Sequence, residues 1–352
     1  MGKYILKRLG LAFVTTFIIL SITFILVKLL PMEKAVGGED KQIAYYENQV
    51  GLGYVCRFKS EQSDLGELLF KTSPQKTDNP LEKTVTYYYY KVPTMKQYGN
   101  WLKNIVTKWE WGYSRRVTPN VRASVIILSK LPYSIKINIW AVLLSVPLGI
   151  LLGIWAALKK NSFTDHAIST MVMVFISIPG FVLITFLMKA FCYDLRWLPS
   201  KWPSDNATVD QKFLGYIIPV FCLSFGSICG YCRYVRAELC EVMESEFLLL
   251  ARTKGLTRKQ AIVRHALKNA MVPLFPSILS EIVGLLGGSM ILEKLYNIPG
   301  IGRLFIDSLS AKDYDLLFVD MALFTVINLV SGVFLDCSYG LIDPRIRMGA
   351  KK

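Results

Sequence analysis

"EFLLLARTKGLTRKQAIVRHALKNAMVPL", residues 246–274, lies between two strongly apolar stretches, yet it carries Arg252, Lys254, Arg258, Lys259, Arg264 and Lys268. Its punctuation is that of two short helices. From Glu238 to Lys254 the spacing predicts a helix with Met243, Phe247 and Leu250 on one face and Glu241, Ser245 and Arg252 on another. Gly255 supplies a left-handed stop. Thr257, with Gln260 three residues on, is a capping box that opens a second helix through Ala261, Ile262 and His265. A solvated basic loop needs no such order. An amphipathic hairpin of this kind suits either an anionic lipid surface or the groove of a partner, and the residues alone leave both open.

The flanks decide the class. The chain has 352 residues, 53% of them hydrophobic, and a mean hydropathy of +0.38, with the apolar residues in blocks rather than in alternation. That composition predicts an all-α polytopic membrane protein. Apolar runs of the roughly 20 residues that cross a bilayer fall near 9–30, 133–157, 166–191, 214–237, 273–292 and 317–341. Six spans place both termini on one side. Lys3, Lys7 and Arg8 before the first run favour a cytoplasmic N-terminus, and the run reads as a retained anchor because no small-x-small cleavage site follows it. The insert from Arg233 to Lys268 then holds eight Lys or Arg on the inside, against three in each of the outer loops 192–213 and 293–316. The net charge of +15 is thus explained by membrane orientation, and nucleic acid is not expected as a partner.

Residues 32–131 fall outside under this topology, and long loops translocate whatever their charge. They contain a Lys/Thr/Asp/Pro-rich run near 71–84, "TYYYYKV" and "WLKNIVTKWEWGY", and read as a small, partly ordered domain with Trp101, Trp109 and Trp111 at the membrane interface. Cys229 and Cys232 make a formal CxxC, but inside a span they read as small packing residues rather than a redox or metal site. Cys56 and Cys192 share the outer side, where pairing is open to them. Gly149 and Gly153 form a GxxxG that lets helices approach closely, and Pro147 and Pro179 interrupt helices.

The opening stretch resembles the EAA-type loop of binding-protein-dependent ABC importer permeases, and "ARTKGLTRKQAIVRHALKNAMVP" is similar to the version in their oligopeptide and dipeptide subfamily, first permease subunit type. Other motifs agree in order: "PLGILLGIWAALKKN", "RYVRAELCEVMESEF", "GGSMILEKLYNIPGIGRLFIDSLSAKDYDLL" (287–317) and "LDCSYGLIDPRIR" (335–347). The resemblance covers residues 1–31 and 95–347. Leu249 stands where the family loop has a glutamate, Lys268 where it has a proline, and the stretch 40–93 is longer than expected of the family.

The resemblance implies six transmembrane helices of the type I ABC importer permease fold, with an extracytoplasmic domain between the first two spans. The domains are then 1–31 (N-terminus and first span), 32–131 (extracytoplasmic) and 132–352 (permease core, with a cytoplasmic coupling hairpin at 239–272). It further implies half of a heterodimeric pore in a prokaryotic plasma membrane, with both termini cytoplasmic. The partners would be a second homologous permease subunit, two ATP-binding subunits, an external substrate-binding protein and a peptide. Glu246, Ala251, Arg252, Lys254, Gly255, Leu256, Thr257 and Arg258 would couple to the ATPase. Ser280, Glu281, Gly287 and Gly288 would line the translocation path, and Pro299, Gly300 and Gly302 an outer gate loop.

No GxxxxGK[ST] loop occurs, so this chain is expected to bind no cofactor and to be no enzyme, with ATP and Mg on partner subunits. The alternative is an ion-coupled secondary transporter using Glu281, the one acid in mid-span, although such proteins often show internal repeats and none is evident here. A membrane-embedded hydrolase lacks convergent groups: His166 and His265 both fall at inner ends of spans without an acid partner. Oligopeptide, dipeptide, nickel and glutathione cargoes are not distinguished by these residues.

Overall fold

The computed structural model of the chain describes residues 2–30, 37–62, 67–76, 84–284 and 287–342, which are mostly helical. Part of the Lys/Thr-rich run, 77–83, and the basic tail expected on the inside lie outside the described residues.

Without water, a backbone must satisfy its own polar groups, so the apolar runs become helices. Helix α1 (Gly2–Leu29) comes first. After it follow α2 (Glu39–Gly51), β1 (Val55–Phe58), β2 (Leu68–Lys71), β3 (Gln75–Lys76), β4 (Thr84–Val85), β5 (Tyr88–Lys91) and α3 (Thr94–Lys108). Helix α4 (Ala123–Leu158) runs on through Pro132 and Pro147. Next come α5 (Phe163–Ile176) and α6 (Gly180–Leu187), which continues into a π-helical turn, Met188–Asp194. Helix α7 (Val209–Met243) opens on a Thr208/Gln211 capping box. The opening stretch of sequence supplies α8 (Glu246–Thr253), α9 (Arg258–Ala261), a π-helical turn (Ile262–Ala266) and α10 (Leu267–Met271). Last are α11 (Leu274–Gly284), α12 (Met290–Leu295), α13 (Ile301–Ser310) and α14 (Tyr314–Ile342).

Among the described residues, α1, α4, α7 and α14 contain segments long and apolar enough to cross a membrane. A fifth is the pair formed by α5 and by α6 with its π-helical turn, if the two count as one span. The run 166–191, read as one span from the sequence, is bent by 96°. Pro179 has no N–H to continue the ladder and biases Ile178 away from helix, so α5 ends and a new helix starts at Gly180. The run 273–292 is likewise interrupted, with α11 ending at Gly284 and α12 starting at Met290.

The chain divides into two compact units. One comprises Met1–Leu9, Pro132–Arg303 and Ile327–Lys352, and the other Gly10–Leu131 and Leu304–Val326. In the second unit β5 is the centre of an antiparallel sheet of order β1-β5-β2, and Tyr89 packs there with Tyr45, Tyr46 and Val55. Trp101, expected at a membrane interface, is instead 2% exposed, stacked on Phe24 at 4.8 Å and edge-on to Phe318 at 5.6 Å. The apolar stripe of α3 turns its indole into an aromatic core, whereas Trp109, just past the helix, is 71% exposed. Cys56 and Cys192 are both free thiols.

Two acids organise the same unit. Asp315 receives Lys28 Nζ at 2.6 Å and the Tyr45 hydroxyl at 3.1 Å, and that hydroxyl accepts from Arg115 Nε at 2.8 Å. Burial, helped by the charge of Asp315, pushes the Tyr45 hydroxyl well above the usual phenol range. Asp313, fully buried, accepts from Ser114 Oγ at 2.7 Å and from the backbone N–H of Arg115, Arg116 and Val117 at 2.9, 2.8 and 3.0 Å. Asp313→Ala strands those donors, at a cost on the order of 2–4 kcal/mol. The expected result is a lower melting temperature of the detergent-solubilised protein, and an unchanged melt would show that the 114–117 turn stands without its acceptor.

Candidate functional site

The hairpin 246–271 begins with a break. Helix α7 stops at Met243, and Ser245 precedes α8 as its N-cap, so the single helix expected from Glu238 to Lys254 is two. The break re-phases the faces. Leu248 and Ala251 are buried, while Phe247 and Leu250, expected on the apolar face, are exposed. Gly255 has φ +92° and donates to Arg252 O at 3.0 Å, and a Cβ placed on it would meet nothing within 4 Å. Its glycine is therefore required by backbone conformation alone. Thr257 Oγ1 accepts from Gln260 N at 3.3 Å, and Gln260 Oε1 accepts from Thr257 N at 3.1 Å, closing the capping box read from the sequence.

The hairpin rests on Ala157 of α4 and on Leu239 and Cys240 of α7 through Leu248, Ala261, Ile262, Ala266 and Ala270. Its tip is the opposite. Arg252, Lys254, Gly255, Thr257, Arg258 and Lys259 are exposed, Glu246 is exposed in the first turn of α8, and Leu256 is half-buried. A cleft of about 350 Å³ at its base is lined in part by Glu244, Glu246, Arg252 and Arg258. Asp165 at the start of α5 accepts from Arg236 Nη2 of α7 at 2.7 Å, and Lys160 pairs with Glu244, which fixes the α4–α5 turn to the end of α7 that carries the hairpin.

A second cluster surrounds Glu281. Gly149 and Gly153 let α4 and α7 approach closely: a Cβ on Gly149 would sit 2.6 Å from Tyr231 Cβ, and one on Gly153 2.8 Å from Cys232 O. Tyr231, on that face of α7, hydrogen-bonds the Glu281 carboxylate through its hydroxyl, and Ser145 Oγ of α4 lies 3.5 Å from Oε1. Ser280 and Glu281 line an open cleft of about 460 Å³ together with Ser227, Tyr231, Tyr234 and Ser277.

Gly288 is placed elsewhere, in a third cluster that the sequence reading missed. Its centre is Glu293, only 3% exposed. The carboxylate accepts from Ser134 Oγ of α4 at 2.7 Å, from Ser289 N at 3.3 Å and from Arg303 N at 3.0 Å, with Gly302 N a further donor. Ser134 Oγ accepts in turn from Ile301 N at 3.0 Å, and Glu293 O accepts from Ile298 N at 2.8 Å. A Cβ on Gly288 would lie 2.6 Å from Glu293 Oε1, one on Gly302 2.8 Å from Met290 N, and one on Gly300 would strike Glu293 and Ser134. Pro299 opens the turn they share, and Gly287 has open space where a Cβ would stand. A lone acid in "MILEKLY", beside GG and PGIG, was the available signal: a buried carboxylate needs donors, and close glycine backbones provide them.

The set of apolar spans, the basic hairpin bolted to two of them and a glycine-walled loop describe a membrane-embedded transport subunit. The sequence pattern of the family described as binding-protein-dependent transport system inner membrane components matches residues 149–348, and the chain belongs to that family. It is 28% identical over 353 residues, covering 100% of both chains, to the dipeptide transport system permease protein DppB of Bacillus subtilis. It is 30% identical to the DppB protein of Lactococcus lactis subsp. cremoris over 349 residues, 99% of this chain and 100% of that one. The oligopeptide transport system permease protein OppB of Escherichia coli is 30% identical over 347 residues, again 99% and 100%. A crystal structure of an amino acid ABC transporter aligns at 18% identity with a TM-score of 0.48, over 61% of this chain and 92% of that one.

Proposed function

We propose that the chain forms half of the translocation pore of an ATP-driven importer for dipeptides or oligopeptides, coupled to separate ATPase subunits through the hairpin 246–271. The carrying observation is mechanical: the hairpin's inner face is packed on α4 and α7, and its basic tip, turned by Gly255, is free of that packing. Force applied at the tip by two closing ATPases reaches the spans through Leu248, Ala261 and Ile262. The names of the full-length relatives support peptides as cargo. In this reading α1, α4, the α5–α6 pair, α7, the α11–α12 segment and α14 are the six spans of a type I permease. Both termini are cytoplasmic, 32–131 is extracytoplasmic and 132–352 is the core. A second homologous permease subunit completes the pore, two ATP-binding subunits drive it, and an external binding protein delivers cargo towards the Pro299–Gly302 loop.

The test is reconstitution in proteoliposomes with the companion permease, the ATPase subunits and the binding protein. Peptide accumulation is expected to require ATP, the ATPase subunits and the binding protein together. Uptake by this chain alone, driven by a proton or sodium gradient, would overturn the proposal and restore the secondary-transporter reading.

A further inference from the structure

Glu281 sits in a run of apolar residues on α11, where an ionised carboxylate facing lipid is costly. The hydrogen-bonding groups that reach it are neutral: the Tyr231 hydroxyl from α7 and, more distantly, Ser145 Oγ from α4. The cleft it opens onto is lined by hydroxyls, those of Ser227, Ser277, Ser280 and the two tyrosines, and among the described residues no Lys or Arg lines it. Neutral donors orient the carboxylate without bringing a counter-charge, so the cleft presents its oxygens to whatever enters. Among the described residues no group of three or more His, Cys, Asp or Glu is placed to hold a metal ion. One carboxylate among hydroxyl acceptors and tyrosine rings matches instead a primary ammonium, which has three donors to place and is attracted by aromatic faces. The volume, about 460 Å³, takes a side chain or chain terminus.

We infer that Glu281 and the surrounding hydroxyls form a cation-selective station for the ammonium groups of passing peptides, lysine side chains in particular. This rests on the peptide-permease reading above. Tyr231 is a positioning residue that holds the carboxylate towards the cleft, and the close α4–α7 packing at Gly149 and Gly153 sets where its hydroxyl stands.

The experiment uses the complete complex in proteoliposomes with saturating, peptide-loaded binding protein, so that capture by the binding protein is not what is scored. Maximal uptake rates are compared for two tripeptides with free termini, one carrying lysine and the other norleucine at the same position. Glu281→Gln is expected to lower the lysine-to-norleucine rate ratio about tenfold, the size of one charge-assisted hydrogen bond. Glu281→Asp restores most of it. Tyr231→Phe, which removes the hydroxyl that positions the carboxylate but leaves the carboxylate itself, is expected to lower the ratio by less than Glu281→Gln does. An unchanged ratio in Glu281→Gln, or a ratio that falls equally in Glu281→Gln and Tyr231→Phe, overturns the station and makes the pair a structural tie between helices. Absence of ATP-dependent uptake of either peptide by the unaltered complex instead overturns the permease reading, and the station with it.

Discussion

Gly255→Val is expected to cut ATP-driven uptake and binding-protein-stimulated ATP hydrolysis together, by about tenfold or more, in a complex that still assembles. The residue has φ +92°, a conformation that costs an L-residue roughly 1–2 kcal/mol and a β-branched one more. Space is not the issue, since nothing lies within 4 Å of the position a Cβ would take. A valine there shifts the turn away from the conformation that aligns Lys254 and Leu256 with the capped start of α9, and a loss of ~1.4 kcal/mol in that population is a factor of ten. Gly255→Asn serves as the control, because asparagine tolerates positive φ, and it should retain more than half of the activity. If the valine variant transports at the rate of the unaltered protein, the tip does not couple the spans to the ATPase.

Glu293→Ala is the second large effect, and its readout is local. Truncation leaves the Ser134 hydroxyl and the N–H groups of Ser289, Gly302 and Arg303 without their acceptor in a site closed to water. Stranding donors to a buried carboxylate costs on the order of 3–5 kcal/mol. The Ile301 N–H loses support indirectly, because its acceptor is Ser134 Oγ. Amide exchange at Ile301 and Arg303 should therefore speed up at least about a hundredfold, the equivalent of ~2.7 kcal/mol in local opening. Gly300→Ala should act in the same direction, since its methyl group would overlap the carboxylate and Ser134. Exchange as slow as in the unaltered protein would mean that the 296–303 loop is held by its apolar contacts at Tyr296, Ile298 and Ile301 rather than by the acid.

The hairpin was legible because its signals are local. A glycine with positive φ and a Thr257/Gln260 box each act within three or four residues of chain, and both are where the sequence places them. The spans α1, α4, α7 and α14 were legible for a similar reason: each apolar run satisfies its backbone within itself, whatever surrounds it. Family membership followed from motifs in order along one line.

Other features depended on neighbours remote in sequence. Phe247 and Leu250 looked like the inner face of α8, but the break at Glu244 and Ser245 turned Leu248 and Ala251 inward, because the packing surface belongs to α4 and α7. Trp101 carries the composition of a membrane-interface residue, and Phe24 and Phe318 made it a core residue. Glu281 was visible as a lone acid, whereas its partners Ser145 and Tyr231 lie 136 and 50 residues away and were brought to it by a close helix crossing. Glu293 passed unnoticed since its role is defined by Ser134, 159 residues earlier, and by glycine backbones on the returning loop. Periodicity and turn chemistry are written in adjacent residues, so the sequence by itself determined the helices, the hairpin and the family. Which face is buried and which charge is compensated depend on atoms that only folding brings together, so those were decided by the tertiary structure.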